Sequence, residues 1–270
     1  MLKVLDSSSS AEPILAFNDF VLRADKTDPS VVISSPWNWY LDPGEQLSVM
    51  TTNSFLSYQL MATLSGLVEP VSGDIFTQGN LSWPLAGQGG LHSSLTIENG
   101  FEFLSNIYGD TLERSKISSG EFFDALKSQE IDTSIPLKKL SRDQKNFFFS
   151  ALSILFSFDI CVAPHSGYLL YLMSHEATLL RSLLRKQLDG GLCMITDSKN
   201  IQFKRQFCNR GIVLGPLGGV IFDGDLDEAI TISNQNDILD KRVEADEIKF
   251  DYGEKLTNLN PTAEDLFNDF

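Results

Sequence analysis

The sequence predicts an α/β fold with a β-lobe first, a helical subdomain next, a helix-and-strand alternation after it and an acidic C-terminal tail. Three observations carry this. Strand-like apolar runs broken by turn residues crowd the stretch up to Trp83. From Ser141 onward, helical periods alternate with short buried strands, the pattern of a parallel sheet with helices packed on it. From Asp237 to Phe270 the chain turns acidic and polar.

Taken in order, Ile14 to Leu22 and Val31 to Ser34 read as strands separated by a turn at Asp28-Pro29, and Gln46 to Met50 as a third strand entered through Pro43-Gly44. A helix is predicted over Phe55 to Leu67, with Leu56, Leu60, Leu64 and Leu67 at helical spacing. Strand-like pieces follow at Asp74 to Thr77 and Leu81 to Trp83, then the Gly87 to Gly90 loop. Thr96 to Tyr108 is predicted as a helix, and Ser118-Ser119-Gly120-Glu121 has the spacing of a capping box that opens another. Ser141 to Phe156 reads as a long helix running into the strand Asp159 to Ala163. Helices near 174–188, 200–209 and 226–233 alternate with strands at Leu192 to Thr196 and Gly211 to Leu214, and Gly218-Gly219 reads as a hairpin turn.

Composition narrows the function. Hydrophobic residues make up 42% of the chain and charged ones 21%, enough for a real core. Lys and Arg number 21 against 36 Asp and Glu, a formal charge of −15. Nucleic acid and anionic membrane surfaces are therefore disfavoured as partners, since both need a basic patch. Cys161, Cys193 and Cys208 show no CxxC pairing and read as buried free thiols of a reducing compartment. The first residues lack the apolar run of a signal peptide. The longest apolar stretch, Phe147 to Val162, is broken by Ser150, Ser153, Ser157 and Asp159, so no membrane span is expected and the chain reads as cytoplasmic.

The run Leu47 to Ile75 has the layout of a phosphate-binding loop: strand, polar loop, helix, then a Ser-Gly turn. Further landmarks follow in order. They are Ser82-Trp83-Pro84, the Gly87 to Gly90 loop, Ser94-Leu95-Thr96 with Glu98-Asn99, Leu140 to Gln144, Phe158 to His165, Leu192 to Asp197, and Phe222 to Asp225 leading into Glu228-Ala229-Ile230. With these in sequence order over roughly residues 13–235, the chain resembles the ATP-binding subunits of ABC transporters, and among them those of the capsular-polysaccharide exporters. The resemblance implies an ABC-ATPase-like mixed sheet over 1–236, with a helical subdomain over about 95–156 and a tail over 237–270.

The residues at the family's chemical positions are different. A phosphate loop GxxxxGK[ST] uses glycines to let amides surround the phosphates, a Lys to neutralise them and a hydroxyl to hold magnesium. Here the stretch is Thr51, Thr52, Asn53, Ser54, Phe55, Leu56, Ser57 and Tyr58, without a glycine and with Ser57 in the Lys place. An amide cradle there would strain residues that need positive φ, and Phe55 and Leu56 put apolar bulk where phosphates lie. The remaining helix start, with Ser and Asn, could still attract a small anion. In the signature stretch Ser141, Arg142, Asp143 and Gln144, the glycines are gone and Ser141 reads as a helix cap. Pro164 and His165 stand where a magnesium Asp and a base Glu are implied, and Asp197 where a switch His is. Without the carboxylate no metal would be held, and phosphoryl transfer depends on that metal.

Other constellations are weaker. Asp223, Asp225, Asp227 and Glu228 lack the Gly and Glu that an EF-hand needs and read as a solvated turn. No GxSxG elbow accompanies His92, His165 or His175, and neither zinc nor another cofactor is expected. Phe147-Phe148-Phe149 reads as a helix surface facing core on two sides, with interface use left open. In the tail, Leu266, Phe267 and Phe270 either lie in solvated disorder or form a short amphipathic helix for a partner groove.

The expectation is a catalytically inactive ABC-ATPase-like subunit that serves a polysaccharide export system as scaffold or regulator. Its implied partner is a membrane exporter subunit or an intact ABC ATPase, in a homodimer or heterodimer, at the inner face of the plasma membrane. Two alternatives remain: an ATP-binding subunit in a composite site with an intact partner, and a soluble glycan-binding accessory protein that uses the Gly87 to Gly90 loop.

Overall fold

A computed structural model describes residues 12–23, 34–164 and 174–236. The chain divides into two units, Met1–Ser233 and Asn234–Phe270, and the elements named here form the first.

The β-lobe is a three-stranded antiparallel sheet in the order β2-β1-β4, formed by β1 (Leu15–Val21), β2 (Trp37–Leu41) and β4 (Ser72–Thr77). Its inner face follows from period-2 alternation: Trp37, Trp39 and Leu41 are buried while Asn38 and Tyr40 are exposed. In β1 the register shifts between Phe17 and Phe20 around Asp19, whose φ is 46°. That bulge returns Phe20 to the inner face, where Phe17 meets Trp39 at 4.2 Å and Phe20 meets Trp37 at 5.6 Å. Gly73 faces the bulge at φ +84°, and a Cβ there would lie 2.3 Å from the Asp19 carbonyl oxygen. Only glycine fits.

The main sheet runs β5-β6-β3-β7-β8, with β3 (Gln46–Thr51), β5 (Ile160–Ala163), β6 (Cys193–Thr196), β7 (Arg210–Leu214) and β8 (Val220–Asp225). The first four in that order are parallel and β8 returns antiparallel on β7. β5 and β6 are buried at every residue, as expected for strands covered on both faces. Arg210 ties β7 to its surroundings. Its guanidinium makes a bidentate pair with Asp223, bonds Glu45 at 2.7 Å and donates to the Tyr40 carbonyl at 2.9 Å. Burial pulls the Arg210 pKa down, but the bonds and charges of Asp223 and Glu45 outweigh it and the group is held firmly charged.

Eight helices are described. α1 (Ser54–Leu64) follows β3, while α2 (Ile97–Ile107), α3 (Gly109–Arg114), α4 (Ser119–Ser128) and α5 (Arg142–Leu155) make the helical subdomain. Then come α6 (His175–Asp189), α7 (Ile201–Phe207) and α8, which begins at Leu226. The capping box at Ser118 and Glu121 forms as the spacing predicts. Phe147, Phe148 and Phe149 are 1%, 0% and 7% exposed, so all three are core and none is left for an interface. Phe122 packs on Phe148 at 6.4 Å and on Phe101 at 5.7 Å.

Some expectations need correction. Leu81 to Trp83 is not a strand: Leu81 makes one bridge to Ile160, and the Ser82 hydroxyl then accepts the Val162 amide. Pro84 has no N–H to continue a ladder, and Trp83 turns into the helical core, 5.0 Å from Phe158 and bonded to Ser153. β2 and α3 were not predicted. The Asp223 to Asp225 stretch is part of β8, and Asp225 accepts the amides of Asp227 and Glu228 at the start of α8. Of the predicted strand Val31 to Ser34, the first three residues lie outside the described residues, as do residues 237–270 of the tail.

No described helix is long and apolar enough to cross a membrane. The three cysteines are free, Cys208 being half-buried. Burial pushes the Cys161 and Cys208 thiols up to about 12, which disfavours their thiolate forms.

Candidate functional site

In an open α/β sheet, ligands bind beyond the carboxyl ends of the strands. β3 pairs with β6 on one side and β7 on the other, so the loops leaving these three strands begin side by side. They carry most of the positions singled out in the sequence.

Thr51 ends β3, and its hydroxyl accepts the Asn53 amide at 3.2 Å; Thr52 is exposed. Asn53 is the N-cap of α1 and uses both ends of its side chain. Its Oδ1 accepts the Leu56 amide at 2.9 Å, and its Nδ2 donates to the Pro216 carbonyl at 2.8 Å. The Asn53 carbonyl takes the Ser57 amide at 3.1 Å. The amides of Asn53, Leu56 and Ser57 are therefore already bonded within the chain. No residue from Thr51 to Tyr58 has positive φ, so the loop adopts an ordinary turn into a helix that needs no glycine.

Side chains fill the space above it. Leu56, at the second glycine position of the loop pattern, is 0% exposed and belongs to the core shared with the β-lobe. Gly218, at φ +82°, passes so close that a Cβ there would lie 3.2 Å from Leu56 Cδ2 and 2.9 Å from Trp37 Nε1. Ser57, in the Lys place, donates its hydroxyl to Asp197 Oδ2 at 2.6 Å. The structure thus brings together Ser57 and Asp197, which the resemblance puts at the Lys and switch positions. The Ser54 hydroxyl accepts Lys199 Nζ at 3.4 Å, while Tyr58 is half-buried within α1.

The other positions behave differently. Ser141 caps α5: its hydroxyl accepts the Gln144 amide at 3.2 Å, and Gln144 Oε1 accepts the Ser141 amide at 3.1 Å. Arg142 and Asp143 are exposed in the first turn. Pro164 is buried at the end of β5 and offers neither carboxylate nor N–H, while His165 lies outside the described residues. Among the described residues no group of His, Cys, Asp or Glu is arranged to hold a metal ion. Sequence reasoning missed Lys199, Pro216 and Gly218 at this rim. The Gly-Pro-Leu-Gly-Gly run after β7 is the signal that could have found the last two.

With this topology and rim, the chain has the fold of an ABC-transporter ATP-binding cassette. A solved ATP-binding subunit of an ABC transporter superposes with TM-score 0.62 at 17% identity, covering 80% of this chain and 91% of that one. A bacterial ABC transporter cassette solved as a dimer gives TM-score 0.59 at 18% identity, covering 78% and 98%. In sequence the chain is similar to the capsule polysaccharide export ATP-binding protein CtrD of Neisseria meningitidis, 24% identical over 72% of this chain and 86% of that protein. It is also similar to the ATP-binding protein BexA of Haemophilus influenzae, 26% identical over 66% and 78%. No protein-family model matches the chain.

Proposed function

We propose that this chain is a non-hydrolysing ABC-cassette subunit of a polysaccharide export system, acting as scaffold or regulator of a membrane exporter subunit or an intact ATPase. The link to polysaccharide export rests on the likeness to CtrD and BexA. The observation that carries the loss of chemistry is Leu56, fully buried where the loop pattern needs glycine, beside a Ser57 hydroxyl given to Asp197. A triphosphate would meet a buried leucine where the loop pattern has glycine and a serine where it has lysine.

Titration calorimetry with ATP and magnesium on the full chain tests this. No binding heat and no magnesium-dependent hydrolysis are expected. Hydrolysis by the chain alone would end the proposal. Binding only when an intact cassette is added would favour a composite site instead.

A further inference from the structure

Resting on that reading but going beyond it, we propose that Ser57–Asp197 and Asn53–Pro216 form a built-in staple that holds the carboxyl-end rim of the sheet in one arrangement without any ligand. The staple follows from strand order. β6, β3 and β7 are neighbours, so the loops after β6 and β7 flank the loop after β3. A side-chain hydrogen bond ties each flanking loop to the central one. Ser57 Oγ donates to Asp197 Oδ2 at 2.6 Å, at the short, strong end for such bonds. On the other side Asn53 Nδ2 donates to the Pro216 carbonyl at 2.8 Å.

Two further contacts lie along the same ties. Lys199 Nζ reaches the Ser54 hydroxyl at 3.4 Å, and Leu56 is wedged beside Gly218. A bound ligand can switch a rim only through differential contacts with its open and closed forms. Here the bonding groups are parts of the chain itself, so the arrangement needs no ligand to form. The subunit would present one conformation to its partner constantly.

Amide hydrogen exchange on the full chain, without nucleotide, tests the staple. Ser57→Ala and Asp197→Ala are each expected to speed exchange about tenfold over 51–58 and over 196–200, including the loop that carries no substitution. The double variant should be no faster than the faster single one, because the Ser57–Asp197 bond is lost in each case. Ser57→Thr keeps the hydroxyl and should keep the protection. Unchanged exchange, acceleration confined to the substituted loop, or effects that multiply in the double variant would overturn the proposal. Should Asp197→Ala not fold, Ser57→Ala against Ser57→Thr still decides, since Ser57 is half-buried. ATP hydrolysis by the unaltered chain would sink the functional reading and leave this exchange result standing, so the two failures are distinct.

Discussion

In the helical subdomain, Thr96, Ser118 and Ser141 each spend a hydroxyl on the amide three residues further on. At the rim of the parallel sheet, Ser57 spends its hydroxyl on Asp197, 140 residues away, and Asn53 reaches Pro216 across 163. The same small polar residues thus do local work in one region and long-range work in the other. The lesson concerns substituted motifs. The stretch around Ser141 opens its helix through a local capping box. The loop after β3 has local caps too, but it also takes partners in other loops and sends a leucine into the core.

The strongest way to break that comparison is to put the glycine back. Leu56→Gly restores the loop pattern at one position, yet it should cost about 3–5 kcal/mol of stability. The loss combines a fully buried leucine with a glycine in a helix. Urea unfolding of the two proteins measures it. A cost under about 1 kcal/mol would mean that Leu56 is not part of the core and that the rim still tolerates an open loop.

Next in size is Ser141→Ala, which removes one hydroxyl from a local cap and should cost about 1 kcal/mol. Its effect on hydrogen exchange should stay within the first turn of α5, in contrast with Ser57→Ala. Spread of the effect to 51–58 would show that the signature stretch and the rim are coupled after all.

The same contrast explains what could be read from the sequence. The capping box at Ser118, the helix cap at Ser141 and the buried runs of β5 and β6 were legible, because each is defined within a few neighbouring residues. α3 was not, being six residues long with no side-chain cap. β2 escaped although Trp37, Trp39 and Leu41 alternate, since five residues acquire strand character only when Phe17 and Phe20 of β1 cover them. At the rim, the sequence displayed the residues that the resemblance places at the chemical positions. It could not display that two of them, Ser57 and Asp197, bond each other, since that depends on β6 lying next to β3.

The smallest expected effect separates charge from cap within the local region. Glu121 accepts Lys186 Nζ at 2.6 Å and the Ser118 amide, and these bonds, the lysine first, lower its pKa to about 2. A carboxyl whose folded pKa lies below its ordinary 4.5 adds stability above that ordinary value and loses it as pH falls toward about 2. Both side chains of the pair are 46% exposed, so solvent screens much of the gain. Glu121→Gln keeps the acceptor that Gln144 supplies in the capping box of α5, while removing the charge. The stability difference between Glu121→Gln and the unaltered protein should therefore be small near pH 6, vanish by about pH 2 and shrink in about 1 M salt. A difference independent of pH would mean that the lysine contributes nothing and that the cap alone holds α4.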